Sequence, residues 1–207
     1  MEEIVGQDKA VPESAEAIIA GESAAEGAVP QHHVPLFHVS LKKLVIMFTL
    51  TFGAYQFYWF YKQWQALKQH YALEVWPIAR SIFSIFFIHS LYDYVNGYIR
   101  ETEREYSWKS EGLALTYVLV AIASGILNQL IKADDSSNFL IIVSLFLPLA
   151  MLYPLYQGQK AINFALEAVE HPINDRLTWL NWGWIILGAL YWIMILGVIA
   201  VLLGVLW

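Results

Sequence analysis

From Leu44 onward the chain alternates between long apolar stretches and short polar links. Five stretches stand out, at 44–61, 77–99, 113–131, 139–156 and 183–207. Each is close to the ~20 residues that carry an α-helix across ~30 Å of hydrocarbon. None shows the apolar–polar alternation of a barrel strand. The pattern predicts an all-α fold: a polytopic transmembrane helical bundle of about five spans. The first stretch is short and aromatic, so an alternative keeps four spans and makes it a re-entrant or interfacial helix. Pro148 lies inside the fourth stretch, removes the donor to the Ser144 carbonyl, and predicts a kink.

Two links also read as helical. Between Gln157 and Glu170, Ile162, Ala165, Leu166 and Val169 recur at i, i+3, i+4, i+7, with Gln159 and Asn163 off that face. Lys62–Tyr71 extends the first stretch with Trp64, Leu67 and Tyr71 on one side, and Pro77 restarts the chain as a new helix. Residues 1–40 differ in kind. They are rich in Ala, Glu, Gly, Pro and Ser and lack an aromatic before Phe37. Such a segment buries too little apolar surface to offset its chain entropy, so a disordered acidic tail is expected there.

Composition agrees with a membrane protein. Apolar residues make up 58% and charged residues only 14%, against roughly 25% charged in ordinary soluble domains. The net charge of −6 belongs wholly to the first 40 residues, and the remainder is neutral. With a pI near 5.4, no basic surface for nucleic acid remains. The chain has no cysteine, which removes disulfides, thiolate nucleophiles and Cys-based zinc sites. The start, Met-Glu-Glu-Ile, has neither a basic n-region nor an early apolar run, so no cleavable signal peptide is expected. With five spans, Lys42, Lys43, Arg100, Arg104, Lys109, Lys160 and Arg176 fall on the N-terminal side, and Lys62, Lys68, Arg80 and Lys132 fall opposite. Seven against four favours a cytoplasmic N-terminus. Trp76, Trp179, Trp182, Trp184 and Trp207 sit near span ends as interfacial anchors, and Trp59, Tyr58 and Tyr61 are expected to do the same.

Polar residues within the spans are the candidate chemistry. His89, Asp93 and Asn96 share one helix face at i, i+4, i+7. An intramembrane His–Asp pair can share a proton, as a relay or as a structural pair bonded to Asn128 or Ser124. Ala121-x-x-x-Gly125 with Asn128 suits close helix packing, as does Gly53 in the first stretch. His32, His33 and His38 form the one histidine cluster, in the tail. No nucleophile–base set or Walker pattern is legible, so no catalytic residues, metal or cofactor are assigned.

The run TFGAYQFYWFYK at Thr51–Lys62 resembles a T-F-G-x-Y-x-x-Y-W-F-Y-K motif of uncharacterised proteobacterial integral membrane proteins, a bacterial domain of unknown function. VSLKKL at Val39–Leu44, PIARSIF at Pro77–Phe83 and QKAIN at Gln159–Asn163 extend the resemblance over most of residues 36–207. It implies a multi-pass protein of the bacterial inner membrane and no reaction. Three functional expectations follow: a non-catalytic accessory, assembly or scaffold protein; a small transporter or proton-coupled channel using His89 and Asp93; and a lipid-modifying membrane enzyme. The expected partners are the lipid bilayer, a protein met through the N-terminal tail, and a second copy of the chain.

Overall fold

Ser40 ends an extended segment and caps the first helix, its hydroxyl accepting the Lys43 N–H at 3.2 Å. The computed structural model describes residues 34–133, 138–167 and 172–205, all within one unit that begins at Val34. Helices α1 (Leu41–Leu50), α2 (Tyr55–His70), α3 (Pro77–Ile82) and α4 (Ser84–Glu101) come first. They are followed by α5 (Ser110–Ala133), α6 (Asn138–Phe146), a 3-10 turn at Leu147–Met151, α7 (Leu152–Leu166) and α8 (Trp179–Leu202). There is no strand among the described residues; one isolated bridge joins Val39 to Asn174.

The all-α reading holds, and three helices are long and apolar enough to cross a membrane: Ser110–Lys132, Asn138–Leu166 and Asn181–Leu202. The first two expected spans are built differently. The stretch 44–61 breaks at Thr51–Ala54, where the Gly53 N–H reaches the Phe48 carbonyl at 2.7 Å and the Phe52 N–H the Thr49 carbonyl at 3.2 Å. This pair of bonds is a Schellman helix stop. Phe52 (φ 51°) and Gly53 (φ 83°) are both left-handed there. The chain then doubles back: Gln63, two turns into α2, hydrogen-bonds the backbone of Phe37, just ahead of α1. Helices α1 and α2 thus form a hairpin with both open ends on one side, the arrangement of the re-entrant alternative. The second stretch is divided at Phe83 into α3 and α4.

The hairpin tip rests on α8. A Cβ on Gly188 would lie 1.8 Å from the Leu50 carbonyl oxygen, so only glycine allows the approach. The Trp192 indole donates to the Thr49 carbonyl at 2.9 Å, a second donor on a group that already accepts the Phe52 N–H. Phe52 packs edge-on against Tyr191 and Trp192. Gly188 is nine residues into α8, so the tip reaches about 14 Å along that helix. Elsewhere Tyr92 crosses from α4 to α7 and donates to the Pro154 carbonyl at 2.7 Å. Its ring occupies the space where Gly158 has no side chain.

The remaining fold expectations divide. The helix predicted around Gln157–Glu170 forms up to Leu166 as part of α7, with Ile162, Ala165 and Leu166 buried, and Val169 and Glu170 lie outside the described residues. The extension Lys62–Tyr71 is helical up to His70, and Pro77 opens α3. Pro148 sits in the 3-10 turn, where the α-helical bonding between α6 and α7 is interrupted. Trp59 is fully buried rather than interfacial, whereas Trp76, Trp179, Trp182 and Trp184 are exposed. Trp207 and tail residues 1–33, including His32 and His33, lie outside the described residues. Residues 34–40, assigned to the disordered tail, are ordered: Leu36, His38 and Val39 are buried.

Candidate functional site

Three side-chain amides hold the extended segment inside the core. Gln63 accepts the Phe37 N–H on Oε1 at 2.9 Å and returns Nε2 to the Phe37 carbonyl at 3.2 Å. Gln159 donates Nε2 to the same carbonyl at 3.2 Å and to Asn163 Oδ1 at 2.6 Å. Its Oε1 accepts the Trp59 indole at 2.6 Å and Gln63 Nε2 at 3.3 Å. Asn163 reaches the Val39 carbonyl at 3.1 Å. A buried backbone group left unpaired costs ~1–3 kcal/mol, and this segment has no sheet to serve it. The amides take the place of a neighbouring strand.

The same segment is latched from the C-terminal side. Asn174 exchanges backbone bonds with His38 and Ser40, and the Ser40 hydroxyl donates to Asp175 at 2.8 Å. Lys43 Nζ donates to Asn174 Oδ1 and to the Arg176 carbonyl, each at 2.7 Å. Burial pushes the Lys43 ammonium below its ordinary pKa, and the Asp175 carboxylate opposes that shift. Sequence reading placed Gln159 and Asn163 off the apolar face of their helix. Gln63 carried a signal: it sits among Trp59, Phe60, Trp64 and Leu67, all fully buried, on an aromatic helix.

The structure does not join His89, Asp93 and Asn96 into one hydrogen-bonded set. His89 and Asp93 are exposed on the outer side of α4, and no hydrogen bond or ion pair joins them to each other. Asn96 is drawn inward: it donates to Ser110 at 2.9 Å and accepts the Trp108 indole at 2.7 Å, closing the link between α4 and α5. The Ser124 hydroxyl bonds the Val120 carbonyl of its own helix, and Asn128 is exposed, so neither meets His89. A second polar contact between α4 and α5 is made by Ser84, whose hydroxyl lies 2.9 Å from that of Tyr117; Tyr117 in turn donates to Gln56 at 2.8 Å.

The proposed packing glycines also change role. Gly53 ends a helix by its left-handed backbone, and a Cβ there would meet Phe48 at an ordinary 3.5 Å. Gly125 faces open space and Ala121 is half-buried, so this small-residue pair makes no close helix contact. Gly158 and Gly188 make the close contacts.

A cavity of about 430 Å³ lies between α1, α2 and the start of α8. Met47, Ala54, Phe57 and Trp184 supply its apolar wall. Thr51, Tyr55, Tyr58, Thr178 and Asn181 supply the polar one. Thr178 and Asn181 form a capping box at the start of α8. Tyr55 is 4% exposed and its hydroxyl has no hydrogen-bond partner among the described residues. Among the described residues no group of three or more His, Cys, Asp or Glu is placed to hold a metal ion. Neither the family models, nor the curated proteins, nor the solved structures contain a match to this chain.

Proposed function

We propose that this chain is an accessory or scaffold protein of the bacterial inner membrane, docking onto a transmembrane helix of a partner protein through the outer face of α4. The observation that carries the reading is the exposure of His89 and Asp93 beside Ile82, Phe83 and Phe86. Ser84 bonds Tyr117, two turns into the membrane-length helix α5, and Asn96 bonds Ser110 at its start. His89 and Asp93 therefore lie alongside the first third of a membrane helix. Ionisable groups facing lipid cost ~2.5–3.5 kcal/mol each on insertion scales, and a helix offering polar partners offsets that cost. Orientation follows from the short links. Arg100, Arg104, Lys109, Lys160 and Arg176 flank one end of the three long helices and Lys132 the other. That imbalance supports a cytoplasmic side for the first end.

A photo-crosslinking residue at position 89, activated in native membranes, is expected to give one dominant protein adduct. His89→Leu with Asp93→Leu should weaken co-purification of that protein about tenfold or more. Adducts to lipid alone would overturn the reading, and an adduct of twice the chain's mass would make the partner a second copy. The transporter reading ranks second, because it requires His89 and Asp93 to line a path, and the cavity beside α8 is lined by neither. The acidic tail, residues 1–33, is proposed as a second contact for the same partner.

A further inference from the structure

We infer that this chain selects curved membrane, gathering where the leaflet that holds α1–α4 is the convex one. The inference rests on depth along the three long helices. Arg104, ahead of α5, donates to the Phe164 carbonyl near the end of α7, and Asn174, ahead of α8, pairs with His38 and Ser40, ahead of α1. These ties mark one common end. Asn138 reaches the Leu202 carbonyl at 2.7 Å and marks the other. The α1–α2 tip meets Gly188, about 14 Å along α8 from the common end. Helix α4 starts at Ser84, level with Tyr117 about 10 Å along α5, and climbs to Asn96 beside Ser110. Helix α3 lies against α2, with the Arg80 guanidinium 4.2 Å over the ring of Trp64, nine residues back from Tyr55 at the tip. A 24-residue helix such as α5 or α8 is about 36 Å long, so the tip and the start of α4 both stop short of its midpoint.

Packing divides the same way. Near the common end α7 buries Leu155, Gly158, Ala161, Ile162 and Ala165. In the other half, among the described residues, α6 has no buried side chain, α5 buries only Ser124 beyond Tyr117, and α8 buries only Ile195 beyond Gly188. The core therefore belongs to one leaflet. Phe57, Ile78, Ile82, Phe83 and Phe86 are exposed and apolar, so α2, α3 and α4 displace lipid chains rather than lie above them. Lys42, Lys68, Arg100 and Glu101, at the open ends, are exposed and charged. One leaflet thus holds sections of α1, α2, α3, α4, α5, α7 and α8, and the other only of α5, α6 and α8 among the described residues. At ~10 Å per helix, the first cross-section is about twice the second. Lipids accommodate a solute of unequal girth by deforming, at a cost that falls where the bilayer already bends convex on the wider side. That difference between flat and bent membrane is what sorts the protein.

The test uses the full-length protein, diluted in giant vesicles of phosphatidylethanolamine and phosphatidylglycerol from which a narrow tube is pulled outward. The chain has no cysteine, so an impermeant dye maleimide added outside reads orientation. It labels Lys109→Cys only in chains whose common end faces out, and Lys132→Cys only in chains whose common end faces the lumen. Both positions are exposed, and unchanged circular dichroism shows that the fold is kept. Dye density on the tube relative to the vesicle, normalised to a lipid dye, should rise about twofold for Lys109→Cys and fall about twofold for Lys132→Cys. Equal density on tube and vesicle for either variant would overturn the inference. Enrichment of both would mean that curvature is sensed without regard to leaflet, and the opposite order would place the wide section in the other leaflet; each overturns the assignment. No partner protein takes part, so this result and the docking through α4 stand or fall separately.

Discussion

At the residue scale, two glycines that look alike in the sequence do opposite things. Gly53 holds φ at 83° behind Phe52, which is left-handed without the benefit of lacking a Cβ. The strain at Phe52 is offset by its contacts with Tyr191 and Trp192, 5.0 and 5.2 Å between ring centres. Gly125 has ordinary helical backbone, and nothing lies within 4 Å of the place a methyl group would take there. Gly53→Ala should therefore destabilise the folded protein by about 1–2 kcal/mol. Gly125→Ala should leave it unchanged or raise stability by up to about 1 kcal/mol. Chemical unfolding of both variants in the same detergent distinguishes them, and equal losses would contradict the assigned roles. Sequence alone gives no means of separating these glycines. What sets them apart is the chain reversal that one permits and the empty face that the other occupies.

Elements behave as pairs here. The hairpin α1–α2 is held by what it meets: α8 at its tip, α7 and the extended segment at its open end. Gly188 is the narrowest of these meetings. Gly188→Ala would drive a methyl group into the Leu50 carbonyl, forcing the tip from α8 at a cost of about 3 kcal/mol or more. Loss of the Trp192–Thr49 bond should accompany it, visible as a red shift in indole emission as the ring is uncovered. A silent substitution with unchanged emission would mean that the tip does not rest there. Long uniform helices were legible from hydropathy: α5, α8 and the α6–α7 rod appear where the apolar runs predicted them. The hairpin was legible only as an alternative. A run of apolar residues records how much surface is buried, and 18 residues that reverse halfway bury as much as 18 that continue. The break is written in backbone conformation, which hydropathy does not weigh.

At the scale of the molecule, the cation distribution becomes a statement about sidedness. The chain has no cysteine, so single cysteines placed at Arg104 and at Lys132 report topology without background. In intact cells an impermeant maleimide should label the Lys132→Cys variant and spare Arg104→Cys until the membrane is opened. The reverse pattern would invert the proposed orientation. The His89–Asp93 face was visible in the sequence as a set of residues; which way it points was not, because a helix face acquires a direction only from its neighbours. The amide clamp at Phe37 has a temporal consequence as well. Its acceptor is synthesised 122 residues before Gln159, the donor that completes it. At ~5–20 residues per second, the nascent amino-terminal segment waits about 6–24 s with its clamp incomplete. Through that interval the early part of the protein depends on the ribosome, the insertion machinery or a chaperone for cover, and truncation before Gln159 leaves it a substrate for quality-control proteases.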